Sequence, residues 1–308
     1  MVQQTIQSAF SVEGKGLHTG LYIHATFLPA GAGEGITLCR VDLPDRPVHH
    51  AYADYVSATE RGTVLEHGEW KISTVEHALS ALYAMGVDCC RIELDAPEMP
   101  ILDGSAMPYV HAINQVGLAD AKDANGETKE REVYKVTERI EYISERGNRL
   151  VLTPADRYEV EVHVAYQSRI LADQRAELLR LSDYTKEIAA ARTFCFVREV
   201  EPLLRMGLIK GGDLKNALVI YETPMSQEGI DYLTDKLNQP HIDATKLGYL
   251  SPVHFHNEPA RHKLLDLIGD LSLIGCRIDG HIYADKPGHT FNTSCARQLR
   301  NRIFPKQQ

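Results

Sequence analysis

The chain has 308 residues, of which 44% are hydrophobic and 24% charged, an ordinary globular composition with length enough for two domains. Its 33 basic and 42 acidic residues leave a formal net charge of -9, and no Lys/Arg block runs through it, which argues against a nucleic-acid partner. The first residues lack the basic start and apolar run of a signal peptide, and no stretch approaches the roughly 20 apolar residues of a membrane span.

Strand-like runs at 22–27, 36–41 and 90–94 open the chain, with a turn between Gly31 and Gly35. Val75, Ala78, Leu79, Leu82 and Tyr83 recur at the helical period and predict a helix over 73–85, stopped by Gly86. A second helix is predicted after Asp103-Gly104-Ser105, running through Tyr109, Val110 and Ile113. The segment 121–132 is almost devoid of apolar residues and is the expected interdomain linker, dividing 1–120 from 133–308.

Beyond it, alternation predicts strands at 134–136, 140–142, 149–152 and 158–164. Helices are expected at 182–191 and 203–208, then a turn at Gly211-Gly212-Asp213 and a strand at 217–221. A long helix through 261–270, a strand at 278–284 and a closing helix over 292–302 complete the chain. Each half runs through antiparallel strands and then helices. The expected fold is therefore α+β: two similar domains, each a layer of mainly antiparallel strands packed on helices. Cys39, Cys89, Cys90, Cys195, Cys276 and Cys295 form no C-x-x-C pair, which suits free thiols and a cytoplasmic location.

The long helix carries the most informative pattern. His262, Asp266 and Asp270 are spaced four apart and stand in one row, beside a broad apolar surface of Leu264, Leu265, Leu267, Ile268 and Leu271. Such a row is either a solvated face or a set of ligands that needs a cation. A partner is available in Ser73-Thr74-Val75-Glu76-His77. There S-x-x-E also reads as a capping box, while Glu76 and His77 would serve as acid/base and third ligand of an open metal site. His289, in the turn Lys286-Pro287-Gly288-His289, is expected on a loop after a strand, where Asp270 would hold it protonated. His254 and His256 alternate as if on one strand face, but no acid is spaced to act with them.

Together these segments resemble the UDP-3-O-acyl-N-acetylglucosamine deacetylase family, zinc amidases of lipid A synthesis. The resemblance runs through Gly16-Leu17-His18-Thr19-Gly20, Ile72 to His77, Asp103-Gly104-Ser105, Ala191-Arg192-Thr193-Phe194, Gly211-Gly212, Arg261 to Asp266 with Gly269-Asp270, and Gly288-His289. It implies one Zn2+, with Fe2+ able to replace it, on His77, His262 and Asp266, in a site at the domain interface. It also implies Glu76 as base, His289 as electrostatic and proton-donating partner backed by Asp270, and Thr193 at the oxyanion. Lys263, Phe194 and Gly212 are implied to bind substrate, an acylated UDP-sugar that loses its N-acetyl group. An insert near 194–220 is implied to line an acyl tunnel, with Val200, Ile209, Leu214, Ala217 and Val219 as its apolar candidates. Hydroxamate chelators are expected to bind, and no obligate protein partner is evident. Some family members carry a C-terminal hydroxyacyl carrier-protein dehydratase, and no such segment is expected in a sequence that stops at Gln308. Two other readings share the residues: a non-haem iron oxygenase using the same two-His, one-Asp set, and a non-enzymatic interaction protein.

Overall fold

Alternating burial builds the sheets. In the segment Tyr158–Ala165, residues Tyr158, Val160, Val162 and Val164 are buried while Glu159, Glu161 and His163 stay partly open. In Cys90–Leu94, the buried Cys90, Ile92 and Leu94 alternate with Arg91 and Glu93. The computed structural model describes residues 1–199, 216–236 and 240–305.

The first half contains β1 (Gln4–Ile6), β2 (Phe10–Lys15), β3 (Tyr22–Pro29), β4 (Ile36–Arg40), β5 (Val48–His50), β6 (Val56–Ala58), β7 (Val64–His67) and β8 (Trp70–Ser73). It continues with α1 (Glu76–Ala84), β9 (Cys90–Leu94), α2 (Met107–Val116) and β10 (Leu118–Asp120). The second half contains β11 (Val133–Lys135), β12 (Ile140–Ile143), β13 (Arg149–Thr153), β14 (Tyr158–Ala165), β15 (Asp173–Leu178), α3 (Tyr184–Glu187), β16 (Phe194–Phe196) and β17 (Leu218–Tyr221). It closes with α4 (Gln227–Lys236), β18 (Gly248–Tyr249), α5 (Glu258–Ser272), β19 (Arg277–Asp285) and α6 (His289–Ile303).

The halves share one plan. The first main sheet has the order β2-β3-β9-β4-β5 and the second β12-β13-β19-β14-β15, with β11 added beside β19. In each, the strand that follows the central helix inserts in the middle, antiparallel to one neighbour and parallel to the other. The α+β expectation with two similar halves holds. Helices α1 and α5 pack against each other, and a single apolar core reaches through both halves.

Several local expectations give way to tertiary structure. Residues 121–132, the expected linker, contact both halves: Ala121 is buried with Ala30, Ala32 and Cys89, Arg131 contacts Asp88 at 2.7 Å, and the Glu132 carbonyl accepts from the Arg277 amide at 3.0 Å. The helix expected at 182–191 contracts to one short turn at α3, because Ile188 and Ala189 both bond back to the Tyr184 carbonyl and the chain then turns away. The capping box does not form. Ser73 Oγ donates to the Pro97 carbonyl at 3.2 Å, and the Glu76 carboxylate faces away to Thr63. His289 stands at the first position of α6 and not on a loop. His254 and His256 lie in the bend before α5, off any strand, with His254 Nδ1 2.8 Å from the Ala190 carbonyl. The expected helix at 203–208 and the turn at 211–213 lie outside the described residues. No described helix is long and apolar enough to cross a membrane.

Candidate active site

Helix α5 keeps its polar row inside the protein. His262, Asp266 and Asp270 are 1%, 1% and 0% exposed, so the row is no solvated face. His77, from the first turn of α1, meets it across the interface between the halves. Nε2 of His77 and Nε2 of His262 lie 3.8 and 3.3 Å from Asp266 Oδ1. The donor atoms of these three residues all fall within 4.8 Å of one another.

This grouping fits a divalent metal. Asp266 Oδ1 is buried without a hydrogen-bond partner, while Oδ2 accepts from Lys263 Nζ at 2.8 Å. A buried oxygen of that kind, facing two imidazole lone pairs, is costly unless a cation sits among them. Burial and the neighbouring His262 push the His77 imidazole down to about 3, so it is neutral. Burial also lowers His262, whose Nδ1–H donates to the Ala191 carbonyl at 3.0 Å, which leaves the Nε2 lone pair free to ligate. Burial works to raise Asp266, but the surrounding cations Lys263 and His289 outweigh it and hold the carboxylate ionised. Three protein ligands of this type leave a further coordination position open, as catalytic metal sites do.

Two titratable groups, Glu76 and His289, flank the three converging donors. Burial pushes the Glu76 carboxyl up to about 7, against the opposing pull of His289. Its Oε2 accepts from the Thr63 amide at 3.0 Å. His289 Nδ1 lies 3.0 Å from Asp270 Oδ2, and its Nε2 lies 3.7 Å from Asp266 Oδ2. Burial opposes charge on this ring, yet Asp270 and Asp266 more than compensate and raise it to about 9. Asp270 Oδ2 also accepts from Asn292 Nδ2 at 2.9 Å.

The remaining predicted residues fall into three groups. Lys263 is partly buried against Asp266, and burial's downward pull on its ammonium is overcome by that carboxylate. Phe194 stands edge-on to His262 with ring centroids 6.3 Å apart, and Lys263 Nζ lies 5.5 Å from its centre. Thr193 is clamped by its amide to the Gly104 carbonyl and by its carbonyl to the Leu218 amide, both at 2.7 Å. Val219 packs with Val197, Tyr221, Ile230 and Leu233 in a small separate core, and Ala217 is buried near the start of β17. Val200, Ile209, Gly212 and Leu214 lie outside the described residues.

Sequence reasoning missed a layer behind the site. Glu258, wholly buried in the first turn of α5, accepts from the Arg192 amide at 3.1 Å, Arg192 Nε at 2.9 Å and the His254 amide at 2.6 Å. Arg192 follows Ala191, whose carbonyl orients His262. Burial works to raise the Glu258 carboxyl, but Arg192 and the two amides win and hold it below its ordinary value. Its folded pKa is therefore depressed, so its contribution is complete above the unfolded value of about 4.3 and fades as pH falls through the folded one. Glu258→Gln is expected to lose stability at neutral pH, with the gap from wild type closing in acid. Denaturant melts at the two pH values check this, and a gap that widens in acid contradicts it.

Comparison with known proteins agrees with the geometry. The profile described as LpxC, UDP-3-O-acyl N-acetylglycosamine deacetylase, matches residues 3–237 and 238–301. A bifunctional enzyme LpxC/FabZ of Porphyromonas gingivalis is 51% identical over 304 residues, covering 98% of this chain and 64% of its own length. One of the same name from Bacteroides thetaiotaomicron is 48% identical, with 98% and 65% covered. The chain thus spans just under two thirds of the length of these relatives. A UDP-3-O-acyl-N-acetylglucosamine deacetylase of Nostoc is 36% identical over 304 residues, 97% of this chain and 98% of the relative. With the match running almost end to end and through every segment that builds the buried site, the chain belongs to the UDP-3-O-acyl N-acetylglycosamine deacetylase family.

Proposed function

We propose that the protein is a zinc-dependent amidohydrolase that removes the N-acetyl group from a UDP-3-O-acyl-N-acetylglucosamine, giving the free amine and acetate. The observation that carries this is the orphaned Asp266 Oδ1 between two neutral imidazoles, with a base and a cationic imidazole beside it. His77, His262 and Asp266 would hold the zinc, which supplies Lewis-acid polarisation and an acidified water when bound.

The chain's own groups divide the proton work. Glu76 accepts a proton from the attacking water, for which a carboxyl raised towards neutrality by burial is well matched. His289, cationic through Asp270, turns Nε2 towards the ligand Asp266 and so towards the reacting carbonyl. There it stabilises the developing oxyanion and can release a proton to the leaving amine. Lys263 occupies Asp266 Oδ2, which reserves Oδ1 for the metal. Thr193 stands at the oxyanion, and Phe194 with Tyr166 and Phe196 forms an aromatic wall for the sugar or acyl chain. An iron oxygenase would share the three ligands but give no task to Glu76 and His289.

Metal-replete protein is expected to release acetate from UDP-3-O-acyl-N-acetylglucosamine, and a hydroxamate chelator to abolish that release. Zinc restored after dialysis should return the activity. No acetate from metal-replete protein overturns the proposal.

A further inference from the structure

We propose that Thr63 is the positioning residue that ties the base Glu76 to the proton-donating imidazole His289, one through its amide and the other through its hydroxyl. The inference deepens the acid–base reading above and rests on it.

Thr63 lies just before β7 and is 0% exposed. Its amide donates to Glu76 Oε2 at 3.0 Å, and its hydroxyl donates to Asp270 Oδ1 at 2.5 Å. The same Oγ1 lies 3.3 Å from His289 Nδ1. A hydroxyl has one proton, and here Asp270 takes it. The lone pairs of Oγ1 and Asp270 Oδ2, which also accepts from Asn292 Nδ2, therefore both face Nδ1, which must carry hydrogen. Nε2 is left as the ring atom that faces Asp266 and the substrate. Once the cation has given up its Nε2 proton, Thr63 and Asp270 thus keep the hydrogen on Nδ1, and the Thr63 amide fixes the carboxylate that takes the other proton.

The residue before it serves the same end. Gly62 has φ +143°, and a Cβ there would come within 2.8 Å of Glu76 Oε1. Any side chain at 62 would push the base aside, so the Gly62-Thr63 pair forms a floor under Glu76 and a brace for Asp270.

Thr63→Val removes the hydroxyl and keeps the shape, and Thr63→Ser keeps the hydroxyl. Loss of an orienting partner at such a site is worth about 10–100-fold in rate. Thr63→Val is expected to lower kcat by that factor with KM and zinc content unchanged, and Thr63→Ser to recover most of the loss. Because the hydroxyl acts through Asp270, Thr63→Val should cost little more when added to Asp270→Asn. Wild-type kcat in Thr63→Val, equal losses in Val and Ser variants, or full multiplicative losses in the double variant each overturn the proposal. One arm is independent of acetate release. The His289 Nδ1–H should give a slowly exchanging downfield proton resonance in wild type, held by Asp270 Oδ2, that shifts and exchanges faster in Thr63→Val. An unchanged resonance overturns the role of Thr63. A wild type that shows the resonance and a Thr63→Val variant that shifts it, with no acetate released by the wild type, overturns only the deacetylase reading.

Discussion

Glu76→Gln is expected to bind zinc as the wild type does and to lose about 10²–10⁴-fold in kcat, the range contributed by a placed general base. Glutamine has the shape of glutamate and its carbonyl oxygen can still accept from the Thr63 amide. It cannot accept the proton of the attacking water. Metal content should be unaffected because Glu76 is not among the converging donors. His289→Gln should fall in the same way, since it removes the cation while leaving Asp270 and Asn292 in place. The two losses should combine to less than their product, because both groups serve one proton path. Single-turnover rates with metal analysis on the same samples check all three statements. Full activity in Glu76→Gln would sink the assignment of the base.

The legibility of this site in the sequence follows from how each group is attached. His262, Asp266 and Asp270 share a helix, and their spacing of four is a local fact that survives folding. Only the fold shows that the row is buried on every side. The S-x-x-E pattern reads in two directions because capping and catalysis compete for the same glutamate, and the capping geometry is lost where the Thr63 amide, just before β7, supplies a donor to the carboxylate. Thr63 had no signal of its own: its partners are 13 and 207 residues away and no periodicity joins them. Asn292 was more accessible, since it follows His289 by three on one helix and both reach Asp270. The strand–helix order gave away two similar halves. That each sheet takes its late strand into the middle is a long-range pairing that alternation does not encode.

Gly269 is where helix propensity and packing disagree, and the structure decides between them. Judged as a helix position alone, Gly269→Ala should stabilise the protein by about 1 kcal/mol. Yet Gly269 lies where α5 crosses α1, and a Cβ there would stand 2.1 Å from the Glu76 carbonyl oxygen and 3.0 Å from its Cα. The clash is with backbone, so no side-chain rotation relieves it, and the helices must separate. Overpacking of this kind costs about 1–3 kcal/mol or more, which exceeds the propensity gain. The displacement falls on the turn that carries Glu76 and His77, opposite the helix that carries His262 and Asp266. A shift of about 1 Å at such a site can cost about 10²-fold in rate. Gly269→Ala is therefore expected to melt earlier, bind zinc more weakly and lose most activity, whereas Gly126→Ala, with nothing within 4 Å of its Cβ, should keep all three properties apart from the strain of its own φ of +81°. Thermal melts with zinc titration separate the outcomes. A Gly269→Ala protein more stable than wild type and fully active would mean that the two helices do not meet as closely as the site requires.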